Sequence, residues 1–192
     1  MRLFAALLFS PAYREKIAAY QRQAALTLPG RYGREDNLHL TLAFIGEQPS
    51  ADAACRALEA VRVPFSSLVL EAARAELFGD VFVLRMKDAG AQDGGESGNG
   101  MAVLRTEGVG PVSILAREVR QALRDGGVPF DPKPMKPHVT VARRVRGPLP
   151  AVPVPRGTDT VRACALMQSV RTEKEGLCYL CLREFPLIQN PF

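Results

Sequence analysis

The chain has only two histidines, and each is followed two positions later by a threonine. His39 begins the segment HLTLAF with Thr41, and His138 begins HVTVAR with Thr140. Because side chains at positions i and i+2 of a strand point to the same face, each segment presents an imidazole beside a hydroxyl. A single His-x-Thr segment is more often structural than functional. Two copies in matching segments, in a chain without any other histidine, favour a shared function.

Two imidazoles and two hydroxyls suit a displacement reaction at phosphorus. An imidazole titrates near neutral pH, so one copy can accept a proton while the other donates one. The attacking and leaving oxygens lie on opposite sides of the phosphorus, which matches a base and an acid from two opposing segments. Threonine hydroxyls can hydrogen-bond the non-bridging phosphate oxygens, and nearby arginines can balance their charge. This scheme requires no metal and no other cofactor.

The positive charge of the chain is concentrated around the second histidine segment. The formal net charge is +5. Residues 1–96 carry 11 basic and 12 acidic side chains, and residues 97–192 carry 14 and 8. No acidic residue lies between Asp131 and Asp159, whereas this stretch holds six basic ones: Lys133, Lys136, Arg143, Arg144, Arg146 and Arg156. Such a cluster attracts phosphate-bearing partners, although a solvated basic loop has the same composition.

Length and composition exclude several classes of protein. The 192 residues fit one large domain or two small lobes, and they can bury a core without disulfides or metals. No run approaches the roughly 18 apolar residues of a membrane span, and the apolar start MRLFAALLF is interpreted as a strand rather than a signal peptide. The four cysteines are therefore expected to be reduced thiols in a cytoplasmic protein. With two histidines, a zinc site of common Cys/His spacing is nearly excluded.

The order of predicted elements is strand, helix, strand in each half of the chain. Strands are predicted at 2–9, 38–45, 66–72, 81–86, from His138 onward, 159–170 and 177–185, and helices begin at Pro11, after Ser50 and at Pro111. Residues 88–100 (DAGAQDGGESGNG) have the composition of a flexible loop. No Gly-rich phosphate loop follows the first strand, so a Rossmann or Walker fold has no support. We therefore expect an α+β protein of two similar lobes.

The two histidine segments, together with both ends of the chain, resemble the two-histidine (2H) phosphoesterase superfamily, and more narrowly the LigT-like RNA 2′,3′-cyclic phosphodiesterases. Residues 35–46 (EDNLHLTLAFIG) are similar to the first signature of that family and residues 137–143 (PHVTVAR) to its second. Residues 2–6 (RLFAA) look like its first strand, and residues 166–187 look like its last two strands. The resemblance thus covers nearly the whole chain, as a single bilobal domain over residues 1–192.

The resemblance implies two pseudo-symmetric lobes, each an antiparallel sheet with helices outside, that form a central cleft. It also implies hydrolysis of a 2′,3′-cyclic phosphate to a 2′-phosphomonoester without metal. Four positions match the catalytic positions of the family, His39, Thr41, His138 and Thr140, and Arg143 matches the basic residue after the second signature. The sequence does not decide which histidine is the base and which is the acid.

Three features leave alternatives open. Tyr32 stands where the family usually has a large aromatic residue, so it could stack on a base of the substrate or simply pack on a strand. Cys178 and Cys181 have the spacing of a redox motif, but they lie in a predicted strand and are interpreted as structural thiols. The function could also be that of a phosphodiesterase for small cyclic nucleotides, or of a non-catalytic RNA- or nucleotide-binding module. Nothing in the sequence requires more than a monomer.

Overall fold

The computed structural model describes residues 1–89, 110–174 and 176–188. Within these residues the elements are, in chain order, β1 (Arg2–Leu8), α1 (Pro11–Ala25), β2 (Arg31–Tyr32), a short 3₁₀ helix (Glu35–Asn37), β3 (His39–Glu47), α2 (Asp52–Glu59), β4 (Leu68–Phe78), β5 (Val81–Asp88), α3 (Pro111–Asp125), β6 (His138–Arg143), β7 (Thr158–Val161), β8 (Ala163–Thr172) and β9 (Gly176–Pro186). The predicted flexible loop 88–100 lies almost entirely outside the described residues.

The strands form one antiparallel sheet rather than two separate ones. The strand order is β7-β4-β5-β6-β3-β1-β8-β9, and β2 pairs with the outer part of β6. Strands β3 and β6 meet at one residue pair, Leu40 opposite Val139, and both side chains are fully buried. This narrow seam divides the sheet into a first lobe (β1, β3, β8 and β9) and a second lobe (β2 and β4 to β7). The predicted α+β class with two lobes is confirmed, and the seam joins the two expected sheets.

The lobes do not correspond to the two halves of the sequence. The first lobe takes β8 and β9 from the end of the chain, and the second lobe takes β4 and β5 from its first half. The prediction of one continuous strand at 159–170 is wrong. The strand is interrupted at Arg162, so that β7 pairs with β4 in the second lobe and β8 pairs with β1 in the first. The chain therefore crosses between the lobes there.

The two lobes share the same order of elements, strand, helix and strand, and this order places equivalent residues at equivalent positions. In the first lobe β1 leads through α1 to β3, and in the second lobe β5 leads through α3 to β6. In each case the two strands are neighbours in the sheet and run antiparallel. The His-x-Thr segments therefore begin the same strand of each unit, as the repeated order in the sequence predicted.

Helix α1 begins where the sequence predicted. The Ser10 hydroxyl accepts a hydrogen bond from the Tyr13 backbone N–H at 3.2 Å, and Pro11 occupies the first turn, where its missing N–H costs nothing. One face of the helix is buried against the sheet, and it includes the four predicted apolar positions Tyr13, Ile17, Tyr20 and Ala24. The predicted stripe of α3 is buried as well: Val112, Leu115, Val119 and Leu123.

The helices cover one face of the sheet and leave the opposite face to the histidines. Alternate residues of β1 pack into the large core beneath the helices: Leu3, Ala5 and Leu7. The residues between them form a second apolar cluster on the other face, where Phe4 and Ala6 contact Ala165 and Met167 of β8. No helix of the described residues is long and apolar enough to cross a membrane.

Candidate active site

The seam between β3 and β6 brings the two His-x-Thr segments side by side. Thr41 and Thr140 follow their histidines on the same face of each strand, and all four side chains are half-buried. The residues between them point the other way into the main core, as the alternation predicted. The strands run antiparallel through the Leu40–Val139 pair, so the two motifs lie against each other.

Each motif strand contains a β-bulge directly after its threonine. The register shifts by one residue at Leu42 in β3 and at Val141 in β6. The inserted residue and the one after it are buried in the core in both strands. As a result the fifth residue after each histidine returns to the open face. These residues are Phe44, which is 52% exposed, and Arg143, which is also exposed.

Backbone carbonyls fix which ring nitrogen of each neutral histidine carries the proton. His39 Nδ1 lies 2.7 Å from the Asn37 carbonyl oxygen, and His138 Nδ1 lies 2.6 Å from the Lys136 carbonyl oxygen. A carbonyl only accepts, so Nδ1 must be the protonated donor in both rings. In the neutral imidazole Nε2 is then the basic nitrogen. For His39 this atom lies 3.1 Å from the Thr41 hydroxyl, which donates to it when the ring is neutral.

The surroundings of His39 keep its imidazole neutral. Burial lowers the pKa of His39 from 6.5 to about 4, and the hydrogen bond to Asn37 opposes this only in part. Repulsion from His138 and from Arg143 lowers it further. The charges of two other predicted site residues, His138 and Arg143, thus act on the His39 imidazole.

His138 is affected in the same direction by a similar set of causes. Burial lowers its pKa, the Lys136 carbonyl opposes this, and the positive charges of Arg85 and Arg143 lower it further. Arg143 therefore acts on both imidazoles. The sequence analysis proposed Arg143 for the site but did not identify Arg85, because the pairing of Arg85 with His138 across β5 and β6 depends on strand register.

Aromatic rings support both imidazoles. The His39 ring lies 4.8 Å from the Phe4 ring and 4.9 Å from the Tyr179 ring, centroid to centroid. The His138 ring lies 5.3 Å from Phe78 in an edge-to-face arrangement. Such contacts limit the rotation of each imidazole and keep its Nε2 in place. No pattern in the sequence indicated these aromatic residues, since they come from strands β1, β4 and β9, which are distant in the chain.

The sequence left open whether Tyr32 stacks on the substrate or packs on a strand, and in the structure it packs on a strand. It lies in β2 opposite Ala142, and its ring packs against the main core. Its hydroxyl donates a hydrogen bond to the Leu28 carbonyl at 2.9 Å. This arrangement favours a structural role for Tyr32 over stacking on a substrate.

A pocket of about 240 Å³ opens beside the motifs at the end of the seam. Its wall includes Thr41 and Phe44 from the first lobe and Phe78 and His138 from the second. A larger hollow of about 470 Å³ lies between α2 and α3 and contains neither histidine. The smaller pocket is the one that adjoins the predicted site, through Thr41 and His138, and His39, Thr140 and Arg143 do not line it.

The cysteines and the metal-ligating residue types do not extend this site. Among the described residues the four cysteines form no disulfide; Cys178 is half-buried and Cys181 is exposed on β9. The described residues contain no group of three or more His, Cys, Asp or Glu side chains that could hold a metal ion.

The fold has counterparts among known proteins. The model of the LigT-like phosphoesterase family matches residues 8–83, which include the first His-x-Thr segment. The crystal structure of E. coli LigT in apo form superposes with a TM-score of 0.71, at 25% identity and with 98% of each chain covered. The crystal structure of TT0787 of Thermus thermophilus superposes with a TM-score of 0.65, at 26% identity, covering 97% of this chain and 98% of the other.

These matches indicate the class: the chain is similar in sequence and fold to LigT-like phosphoesterases. More narrowly, it is homologous to the RNA 2′,3′-cyclic phosphodiesterase of Geobacillus stearothermophilus, with 27% identity over 198 residues that cover 98% of this chain. The chain matches 58% of the length of that relative. The resemblance predicted from the two histidine segments is confirmed.

Proposed function

We propose that the protein hydrolyses the 2′,3′-cyclic phosphate at the ends of RNA to a 2′-phosphomonoester. One observation carries this proposal: two His-x-Thr segments lie side by side at the seam, and a backbone carbonyl holds Nδ1 of each histidine, which leaves Nε2 as the basic nitrogen. Two basic nitrogens on adjoining strands suit a reaction in which one proton is removed and another is supplied.

The proposed reaction uses both imidazoles in one step. One Nε2 accepts a proton from a water molecule while the water oxygen forms a new bond to phosphorus. The bond between phosphorus and the ribose 3′-oxygen breaks, and the other imidazole protonates that oxygen through its Nε2. The products are a 2′-phosphate and a 3′-hydroxyl, so one water molecule is consumed and no group is oxidised or reduced. Both histidines have the same Nδ1–carbonyl hydrogen bond, which leaves open which of them is the base.

The hydroxyls and the arginine would hold the phosphate during this step. Thr41 and Thr140 lie on the open face beside their histidines and can donate to the non-bridging oxygens. Arg143 is the cation proposed to balance the charge of the anion, and its positive charge lowers the pKa of both histidines. The step requires no metal, because protons and charge are supplied by side chains.

The protonation states of the free site also fit an anionic substrate. With both pKa values lowered, both imidazoles are neutral near pH 7 in the free protein. A bound phosphate adds negative charge and favours the protonated form of a neighbouring histidine. We therefore infer that substrate binding itself helps to create the protonated acid.

The relatives support the choice of substrate. The Geobacillus stearothermophilus homologue is named an RNA 2′,3′-cyclic phosphodiesterase. E. coli LigT has been solved in complex with NADP⁺ and with ATP, at 26% and 25% identity to this chain. Nucleotides are thus bound by E. coli LigT, which supports RNA ends or nucleotides as the proposed partners of this chain.

Product analysis tests the proposal. An oligoribonucleotide ending in a 2′,3′-cyclic phosphate is incubated with the protein in excess EDTA, and the phosphate of the product is located by ³¹P NMR. We expect a 2′-phosphate from the wild-type protein. Opening of adenosine 2′,3′-cyclic phosphate or ADP-ribose cyclic phosphate, but not of the oligomer, would instead favour a small-nucleotide enzyme. Binding of the oligomer without opening would favour a binding module and contradict the proposal.

A further inference from the structure

Asn37, two residues before the first motif histidine, uses all four of its polar groups. Its backbone N–H donates to the Arg34 carbonyl at 3.0 Å, which closes the short 3₁₀ helix. Its backbone carbonyl accepts the hydrogen bond from His39 Nδ1 at 2.7 Å. Its side-chain amide bonds β9 twice: Nδ2 donates to the Leu177 carbonyl at 2.8 Å, and Oδ1 accepts from the Tyr179 N–H at 3.0 Å. Asn37 therefore links the first histidine to a strand 140 residues further along the chain.

The two β9 groups that Asn37 binds belong to a strand at the edge of the sheet. Among the described residues β9 pairs with β8 alone. An amide that donates to one residue of a strand and accepts from the second residue after it makes the same two bonds as a residue of a neighbouring strand. The Asn37 side chain thus holds this part of β9 as a further strand would hold it.

This attachment holds in place the aromatic ring that covers His39. The Tyr179 ring stands perpendicular to the imidazole, with the centroids 4.9 Å apart. The Phe4 ring contacts both, at 4.8 Å from the imidazole and 5.1 Å from the Tyr179 ring. The imidazole is thus held at two points through one residue, at Nδ1 by the Asn37 carbonyl and at its ring through Tyr179, which restricts its rotation.

The second motif has a different residue at the equivalent position. The Lys136 carbonyl accepts from His138 Nδ1 at 2.6 Å, as the Asn37 carbonyl does from the first histidine. The Lys136 ammonium lies 5.5 Å from the centre of the Phe78 ring, and that ring packs against His138. Lys136 thus reaches its aromatic ring through a contact with the ring face, whereas Asn37 binds the backbone of the strand that carries the ring. We expect the Asn37 side chain to matter more for its histidine than the Lys136 side chain does.

We propose that Asn37 is a positioning residue for the reaction, because its carbonyl and its side-chain amide together hold the His39 imidazole between the start of β3 and Tyr179 of β9. This role rests on the proposed function in one respect, that His39 Nε2 transfers a proton. With Nδ1 bound and the ring packed on Tyr179, Nε2 keeps one direction before a substrate arrives. Proton transfer tolerates little misplacement, so the attachment supports the rate of the chemical step rather than the affinity for the substrate.

The NMR spectrum of Asn37→Ala tests the attachment without any turnover. This variant keeps the backbone carbonyl that binds Nδ1 and removes both bonds to β9. The charges that act on His39, those of His138 and Arg143, are unchanged. We expect the pKa of His39 to rise from about 4 by about one pH unit or more, because water reaches the imidazole once Tyr179 is released. The pKa of His138 should stay within about 0.3 pH units of its wild-type value.

Lys136→Met is the matched control for this measurement. It changes the equivalent residue of the second motif and leaves the bonds between Asn37 and β9 in place. The pKa of His39 should therefore stay within about 0.3 pH units of the wild-type value in this variant. A His39 pKa that rises as far in Lys136→Met as in Asn37→Ala would contradict a specific role for Asn37.

A double-mutant cycle with Tyr179→Ala tests whether Asn37 acts through the Tyr179 ring. Tyr179→Ala removes the ring but keeps the backbone N–H that Asn37 binds, and it should also raise the pKa of His39. If Asn37 acts through the ring, the double variant should have about the same His39 pKa as Tyr179→Ala, whereas shifts that add in full would contradict the proposal. If Asn37→Ala does not fold, Tyr179→Ala alone decides: an unchanged His39 pKa in that folded variant counts against the proposal.

Kinetics on the oligoribonucleotide with a 2′,3′-cyclic phosphate give the second readout. For Asn37→Ala we expect kcat to fall about 10- to 100-fold with KM within about threefold of wild type. An unchanged His39 pKa, equal shifts of both histidines, or a loss confined to KM would overturn the proposal. If the wild-type protein opens no cyclic phosphate but the His39 pKa shifts as expected, the proposed function is refuted and the attachment of His39 through Asn37 stands.

Discussion

Protonation of His39 should destabilise the folded protein. The folded site lowers the pKa of this imidazole from 6.5 to about 4, mainly through burial, with repulsion from His138 and Arg143 acting in the same direction. Between these two pH values the unfolded chain binds a proton that the folded chain does not. The free energy of unfolding therefore falls as the pH falls through this range.

The size of the effect follows from the two pKa values. One pKa unit corresponds to about 1.4 kcal/mol, so the destabilisation reaches about 3 kcal/mol once the pH is below 4. At pH 5 the unfolded histidine is almost fully protonated and the folded one is mostly neutral, which gives about 2 kcal/mol. Above about pH 7.5 both forms are neutral and the contribution vanishes. These values are large compared with the roughly 5–15 kcal/mol of stability that is usual for a folded domain.

Urea unfolding at pH 7.5 and pH 5.0 measures this change in the free energy of unfolding. We expect the wild-type protein to lose about 2 kcal/mol more than His39→Gln between the two pH values, because only the wild type carries the buried imidazole. Carboxylates titrate in both proteins and cancel in this comparison. His138→Gln is the matched control, and it should retain the contribution of His39.

The pKa of His39 can also be measured directly by NMR. The chain has two histidines, so its NMR spectrum contains two imidazole Hε1 resonances, and the spectrum of His138→Gln identifies the one from His39. We expect the His39 resonance to titrate far below pH 6.5. A His39 resonance that titrates at or above pH 6.5, or a His39→Gln variant with the full pH dependence of the wild type, would refute the reasoning.

Four further outcomes are expected. Inorganic phosphate should raise the pKa values of both histidines in the same NMR titration, and unchanged values would show that phosphate does not bind between them. Oligonucleotide affinity should fall as salt rises, and a flat response would exclude phosphate contacts by the basic cluster. Tyr32→Phe loses the hydrogen bond to Leu28, so it should lower the free energy of unfolding in urea by about 1 kcal/mol and leave kcat/KM within about twofold of wild type. A large loss of kcat/KM at native stability would instead indicate that Tyr32 contacts the substrate. Gln21→Leu leaves the Val141 carbonyl at the β6 bulge without its 2.8 Å donor and should cost about 1–3 kcal/mol in urea unfolding; an unchanged midpoint would show that this bond is not needed.

Local patterns in the sequence were sufficient to predict the motif strands and the helices. The period-two alternation around His39 and His138 specified which side chains share a face, because the residues between them are apolar and must be buried. Ser10 followed by proline was enough to predict the start of α1. The sequence also indicated the family, since the two motifs occur at matching places in two similar halves.

Long-range pairing was beyond what local patterns could predict. The bulges at Leu42 and Val141 reverse the alternation, so the sequence pattern alone would assign Phe44 and Arg143 to the wrong face. Arg85 reaches the site only through its register with His138, and a single arginine in a strand carries no signal of its own. The exchange of strands between lobes was missed because the break at Arg162 lies within an otherwise continuous strand pattern.

The rate of cyclic-phosphate opening in the single histidine variants tests the central claim most directly. His39→Ala and His138→Ala are compared with the wild-type protein on the same oligoribonucleotide in excess EDTA, after circular dichroism has shown that each variant is folded. If each imidazole transfers a proton in the reaction, each variant should open the cyclic phosphate about 10²- to 10⁴-fold more slowly. Opening at a rate within a few-fold of wild type by either folded variant would contradict the claim that both histidines carry the chemistry.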